Sequence, residues 1–342
     1  MRKEIKLSAS RLKTAKTCSW LYWSKYHINL PDKKNDGASR GDICHCVFEC
    51  LGRPDRIKHY RKIVKSKDPY VIPSIKRLIE KKAIGHCISD KDNISQIKDM
   101  IVAGLEHDFF GKDLHNPTEA YSEYEFDLHI NENGKDYRIK GFIDKLFLYK
   151  KKNIILIRDF KTSKKVFEGD EKDKNLQDYI YSLAVKYLFP EYGKRKSEFV
   201  FLKFPLTGND PKGLLKMEEI SDDKLESFEL EMTKAQSYLE NFNSNTAKSN
   251  YAADKRSKGG FEGPIVCGFA SYPGEPKKNG DPKWYCTYKF PFDFYALYDD
   301  NDAIVKTAFM EDYYELVKLK KSGYKIVREK YQGCPRWNRT DY

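Results

Sequence analysis

An α/β fold is predicted, with a central mixed sheet of about four or five strands flanked by helices. Three stretches predict it. Ile139–Lys161 (IKGFIDKLFLYKKKNIILIRDFK) sets two apolar runs around the polar segment Lys150–Asn153, the pattern of a β-hairpin. Tyr121–Ile130 (YSEYEFDLHI) alternates strictly and leads into Asn133-Gly134, a strong hairpin signal. Leu176–Phe189 carries Leu176, Ile180, Leu183, Ala184 and Tyr187 at helical spacing.

The other elements follow in chain order. Ser8 or Ser10 caps a first helix running to Tyr26. Residues 32–39 read as a loop, and Gly41 opens a helix in which Glu49 follows His45 by one turn. Residues 53–118 are charged and broken by Pro54, Pro69, Pro73 and Pro117; Ile72–Lys82 and Asn93–Leu105 are the helical pieces of this layer. A charged loop follows Lys161, Glu198–Phe204 is a further strand, and Asp222–Phe242 is a helix. Trp284–Tyr298 is dense in aromatics, and Ile304–Lys321 reads as a final helix.

With 342 residues, length alone suggests about two domains. No Gly/Ser-rich or Pro-rich linker divides the chain, so one domain is expected. Its parts are N-terminal helices (1–52), a helical insertion (53–118), a sheet core (119–205) and a C-terminal helical and loop extension (206–342). The net charge of +12, with 24 Tyr and 20 Phe, suits a nucleic-acid partner, since cations track phosphates and rings stack on unpaired bases. An ordinary Lys-rich solvated surface has the same composition. No apolar run spans a bilayer and MRKEIKLSAS has no signal-peptide core, so a cytoplasmic protein without membrane partners is expected (host cytoplasm if viral). Eight cysteines in such a chain do not form a disulfide framework. Walker, G-x-S-x-G and Rossmann motifs are absent.

Register brings the chemistry together. A turn closing on Lys151-Lys152 sets Asp144 opposite Asp159, and one closing on Asn133-Gly134 sets Glu123 opposite Asp144. Lys161, two residues past Asp159, shares its face. Three neighbouring carboxylates are charged at neutral pH and need a cation among them. Mg²⁺ or Mn²⁺ suits oxygen ligands; it acidifies a bound water and polarises a phosphoryl oxygen. Lys161 then orients the water or neutralises charge on the phosphate. A plain surface hairpin is the alternative, but Asp159 and Lys161 end the run Ile154–Ile157, which reads as buried on both faces. Gln177 and Tyr181, one turn apart, can point at the acidic row or simply pack at a helix edge. His45 alone reads as a packed or surface residue more readily than as a ligand. Cys46 and Cys50 share a helix face with no further partner, so Cys44, Cys46 and Cys50 read as packing.

Taken together, Ser8-x-Ser10 through Cys18, Gly41-x3-His45-x3-Glu49, Gly141-Phe142-Ile143-Asp144, Asp159-Phe160-Lys161-Thr162 and Gln177-x3-Tyr181 resemble, in order, the RecB-like branch of the PD-(D/E)XK nuclease superfamily. The resemblance covers most of residues 8–204. It implies a restriction-endonuclease-like sheet and a metal site of His45, Asp144 and Asp159, with Glu123 as the acid of the first core strand. It also implies a catalytic Lys161, and Gln177 and Tyr181 along the DNA path; Lys164 and Lys165, in the loop after Lys161, are assigned to the substrate as well.

Many RecB-like relatives also hold a four-iron cluster on one N-terminal Cys and a C-x2-C-x5-C triplet. Cys18 matches the first place and Cys286 the triplet region, but the flanking positions are Lys283 and Phe292, which cannot bind iron. Cys267 and Cys334 stand at spacings outside any recognised run. Metal-free thiols are therefore expected, with a 4Fe-4S cluster on Cys18, Cys286, Cys267 and Cys334 as the alternative.

The expected activity is a Mg²⁺- or Mn²⁺-dependent deoxyribonuclease, an exonuclease on single-stranded DNA or DNA ends in recombination, repair or replication. A helicase, recombinase or single-strand-binding protein is the expected partner, in the manner of viral or accessory versions. The alternatives are a catalytically silent DNA-end-binding subunit, a structure-selective endonuclease or RNA-cutting enzyme of the same fold, and a redox-responsive cluster protein.

Overall fold

The computed structural model describes residues 4–33, 35–208, 211–255, 267–268, 272–276, 278 and 283–337. In chain order the elements are α1 (Ala9–Thr17), α2 (Ser19–Tyr22), a π-helical turn (Trp23–His27), α3 (Asp36–Leu51), α4 (Ile57–Ser66), α5 (Pro73–Gly85) and α6 (Lys91–Glu106). Then come β1 (Glu119–Glu132), β2 (Lys135–Tyr149), β3 (Ile154–Lys161), α7 (Asp170–Asp173), α8 (Leu176–Leu188), β4 (Lys194–Phe201), β5 (Leu214–Lys216) and α9 (Asp222–Glu240). The chain ends with β6 (Phe292–Tyr298), β7 (Ile304–Phe309), α10 (Tyr313–Leu319) and β8 (Lys325–Tyr331). It divides into two compact units, Met1–Ala9 with Lys34–Gln236, and Ser10–Lys33 with Ser237–Tyr342.

The first unit is built on a five-stranded sheet in the order β1-β2-β3-β4-β5. β3 and β4 run parallel and the other pairs antiparallel, so the sheet is mixed as expected. The parallel pair needs a crossover, and α8 supplies it. Both turns close as the sequence reading requires: Glu132 pairs with Lys135, and Lys145 with Arg158. Continuing these registers sets Glu123 level with Asp144 and Asp144 level with Asp159, although neither pair is itself part of a ladder.

Helices α3, α4, α5 and α6 form an apolar layer around Ile43, Val47, Ile79 and Ile101, and Phe160, Val200 and Leu202 of the sheet side join it. Three of the four prolines in this region open helices rather than merely interrupt them: Pro54 and Pro69 begin 3-10 turns and Pro73 begins α5. A first-turn position has no use for an N–H, so proline costs nothing there. Beneath the strands, Arg158 pairs with Glu198 at 2.5 Å and Asp108 at 3.2 Å, a buried network that ties β3 to β4 and the segment after α6.

The second unit contains a three-stranded antiparallel sheet, β7-β6-β8, packed through Phe294, Ala296 and Tyr331 on Leu30 and Tyr288. This corrects the reading of Ile304–Lys321 as one helix. Ile304–Phe309 pairs with β6, Met310–Asp312 is a 3-10 turn, and only Tyr313–Leu319 is α-helical. A second correction concerns residues 32–39. α3 begins at Asp36, because the Asn35 side chain accepts from the Ala38 N–H at 2.9 Å and caps it.

Candidate active site

The acidic row gathers at β1, β2 and β3, with α3 and α8 supplying the remaining groups. On α3, His45 Nδ1 lies 3.1 Å from Asp144 Oδ1 and 3.4 Å from Glu123 Oε1. Ligand atoms of His45, Glu123 and Asp144 all lie within 4.8 Å of one another, and this is the one such His/Cys/Asp/Glu group among the described residues. The backbone helps to form it. Glu123 has φ +49, and it interrupts the ladder between the pairs Ser122–Lys145 and Tyr124–Ile143. A left-handed non-glycine residue costs on the order of 1–3 kcal/mol and persists where function or surroundings require it. No sequence signal marks that conformation.

Asp144 is fixed through its other oxygen, Oδ2, which accepts the Phe160 backbone N–H at 2.7 Å. Asp159, only 3% exposed, follows on β3. Its Oδ1 accepts from Gln177 Nε2 at 2.5 Å. Its Oδ2 lies 2.6 Å from Lys161 Nζ as an ion pair, yet has no aligned hydrogen-bond donor. A buried carboxylate oxygen in that state has coordination capacity to spare.

Gln177 bridges the two β3 side chains: its Oε1 accepts from Lys161 Nζ at 2.6 Å while its amide reaches Asp159. The same amide donates to the Tyr181 hydroxyl at 2.7 Å, and that hydroxyl donates to the Phe142 carbonyl at 2.5 Å. Asn175 caps α8 through the Gln177 and Asp178 N–H groups and so sets the height of Gln177. Tyr181 is 8% exposed and points inward. Its place is in the bracket that holds Gln177. Lys164 and Lys165 are exposed beyond the end of β3, apart from this bracket.

The electrostatics mark a site built for added positive charge. Burial disfavours a charged imidazole, but Asp144, Glu123 and Asp159 outweigh it and hold the His45 pKa up at about 11. Burial, then Asp144, push Asp159 up to about 6 against the pull of Lys161 and His45. Acids that need a proton to coexist in a buried place can exchange it for a divalent ion. One imidazole nitrogen with carboxylate oxygens, one of them lacking an aligned donor, fits such an ion.

The four cysteines weighed for a cluster come together in the second unit. Cys18, Cys267, Cys286 and Cys334 line one apolar pocket with Trp20, Tyr288, Lys289 and Trp337. No three of their sulfurs lie within 4.8 Å of one another among the described residues. A single tetrahedral Zn²⁺ with bonds of about 2.3 Å draws four sulfurs closer than that. Buried Lys289 and the Trp337 indole, both in this pocket, had no signal in the sequence reading. All eight cysteines are free of disulfides.

Comparison with known proteins gives a family match. The family model of the PD-(D/E)XK nuclease superfamily matches residues 6–267. Among solved structures, a candidate exonuclease from Eubacterium rectale is 13% identical over 69% of this chain and 79% of its own, with a TM-score of 0.42. The protein SSO0001 is 17% identical over 50% of this chain and 71% of its own, at 0.27. Scores this low carry no argument about activity. No curated protein matches this sequence. No helix among the described residues is long and apolar enough to cross a membrane. With a family match over most of its length and a five-stranded mixed sheet presenting the acids, the chain belongs to the PD-(D/E)XK nuclease superfamily, phosphodiester hydrolases that use divalent metal ions.

Proposed function

We propose that this nuclease is a Mg²⁺- or Mn²⁺-dependent exonuclease of the RecB-like branch acting on single-stranded DNA or DNA ends. The observation that carries the reading is the group His45, Glu123 and Asp144, with Asp159 and Lys161 beside it. His45, Glu123, Asp144 and Asp159 would hold the ion. When bound, the ion polarises the scissile phosphoryl group and lowers the pKa of a water. The protein's own contribution is positional. Asp159 and Gln177 fix Lys161 Nζ at the mouth of the acidic row, where its ammonium can offset charge on the phosphate or hold the attacking water. Phe142, 44% exposed and two residues before Asp144, offers a ring on which an unpaired base can stack, which favours a single-stranded substrate. Lys164 and Lys165 extend the basic side toward the departing strand. The work of such an enzyme lies in recombination, repair or replication, beside a helicase, recombinase or single-strand-binding protein.

Metal-free thiols remain the reading for Cys18, Cys267, Cys286 and Cys334, with an iron–sulfur cluster as the alternative. Four free cysteines on one pocket, three of them buried and Cys286 half-buried, would be its ligands.

The test of the nuclease reading is digestion of linear and circular single- and double-stranded DNA with Mg²⁺ or Mn²⁺. Loss of linear single strands with circles spared is the expected result. Cutting of circles would indicate an endonuclease, and silence on every substrate an end-binding subunit.

A further inference from the structure

The β1–β2 ladder breaks at one step. Ser122 pairs with Lys145 and Tyr124 with Ile143, and between them Glu123 takes φ +49 without pairing to Asp144. A glutamate in left-handed backbone inside a strand is held there by what surrounds it. On the far side of the break the hold is aromatic. The Tyr124 ring packs on Tyr121 at 5.1 Å and on Phe189 at 5.8 Å between centroids. On the near side it is polar: Lys145 Nζ donates to Ser122 Oγ at 2.8 Å, across the last pair before the break.

Lys145 is 2% exposed. It follows Asp144 on β2, so its side chain leaves the strand on the face away from that carboxylate. There its Nζ lies 3.7 Å from the Phe109 ring centroid and 5.9 Å from that of Phe110. An ammonium group over an aromatic face is attracted to it, so the rings and the hydroxyl together fix where this Nζ lies.

Gly52, the C-cap residue of α3, closes the arrangement. A Cβ there would meet Ser122 Oγ, Lys145 Nζ at 2.7 Å and the Phe48 carbonyl at 3.1 Å. The end of α3 therefore lies directly on the Ser122–Lys145 bond. His45 stands two helical turns before Gly52, on the same face of α3. Its Nδ1 reaches Asp144 at 3.1 Å and Glu123 at 3.4 Å. One helix thus meets two consecutive steps of one strand pair, Ser122–Lys145 with its end and Glu123–Asp144 with its imidazole. Displacing the first step moves the carboxylate of the second.

We propose that Ser122 and Lys145 are positioning residues for the metal ion: their hydrogen bond, seated against Gly52, pins β1 one residue before Glu123 and holds that carboxylate toward His45 and Asp144. This rests on the metal-site reading above and goes beyond it, because both residues act through Glu123 and neither belongs to the acidic row.

The test is calorimetric titration of the metal-free full chain with Mn²⁺, with thermal melts of the same preparations. Ser122→Ala and Lys145→Met are each expected to bind Mn²⁺ about tenfold more weakly, the lower end of what losing an outer-shell partner costs a metal site. Met can fill the same slot against Phe109, so Lys145→Met should melt close to wild type without metal. Ser122→Thr keeps the hydroxyl and is expected to bind Mn²⁺ as wild type does. Gly52→Ala alters neither partner. Gly52 has φ −71, which alanine adopts without strain, so the new Cβ should act mainly by pushing Oγ and Nζ apart, and it too should weaken Mn²⁺ binding. In a Glu123→Ala background, Ser122→Ala is expected to cost no further affinity, because it acts through that carboxylate. Ser122→Ala or Lys145→Met binding Mn²⁺ as tightly as wild type, or a loss that persists undiminished in the Glu123→Ala background, would overturn the positioning role while leaving the metal site standing. Wild-type protein that binds no Mn²⁺ overturns the metal-site reading and this inference with it.

Discussion

Gln177 accepts a hydrogen bond from Lys161, Oε1 to Nζ at 2.6 Å, and this contact sets where the ammonium points. Its amide end is committed to Asp159, so one side chain fixes both β3 residues at once. Gln177→Ala should lower kcat about 10–100-fold, the usual effect of losing an outer-shell partner. KM for DNA should stay within a few-fold. Steady-state cleavage with Mn²⁺ measures the split; a rise in KM alone would make Gln177 a substrate contact.

Metal dependence follows from the acidic row. Mn²⁺ at a hundredfold excess over its dissociation constant should add about 2.7 kcal/mol to stability. Calorimetric titration together with thermal melts checks this, and EDTA should reverse the gain. Glu123→Ala and His45→Ala should each weaken Mn²⁺ binding at least tenfold. Glu123→Ala keeps the left-handed strain because its Cβ remains, whereas Glu123→Gly relieves it and should melt higher than Glu123→Ala without metal.

Asp178, buried in α8, gives a pH signature away from the metal ligands. Burial raises its pKa to about 6, against the lowering effects of Ser197 and Ser182. A carboxyl group whose folded pKa is raised contributes stability that is full below its ordinary 3.8 and is lost as pH rises through about 6. Asp178→Asn should therefore be the more stable protein above pH ~6, by on the order of 1–3 kcal/mol, and should match wild type near pH ~4. Urea melts at the two pH values measure the difference.

Gly141 shows how tightly the β1–β2 pair is built. A Cβ there would meet Phe126 Cζ at 2.7 Å and Cε1 at 2.9 Å, and Tyr181 at 3.5 Å. Gly141→Ala should cost about 1–3 kcal/mol by overpacking and should lower activity through Tyr181 and Gln177. Chemical denaturation and the cleavage assay, run on the same preparation, report the two effects.

The register of the core was legible because two turns declare themselves. Asn133-Gly134 and the Lys150–Asn153 segment each fix a sum of paired residue numbers, and that arithmetic places Glu123, Asp144 and Asp159 in one row. Other features had no local signal. The left-handed Glu123 depends on surrounding strands, and the inward turn of Tyr181 depends on the Phe142 carbonyl. Ile304–Lys321 misled because Glu, Leu and Lys dominate its second half, whereas Ile304–Phe309 is a strand only through pairing with β6. The meeting of Cys18 with Cys267, Cys286 and Cys334 is likewise non-local, so spacing could not show it.

The most direct test of the central claim is the rate of linear single-stranded DNA cleavage in Mn²⁺ by wild type, Asp159→Asn and Lys161→Ala. Both variants are expected to lose at least about 10²–10³-fold in kcat while keeping wild-type melting behaviour. Either variant cutting within tenfold of wild type would contradict the account and move the chemistry away from the acidic row.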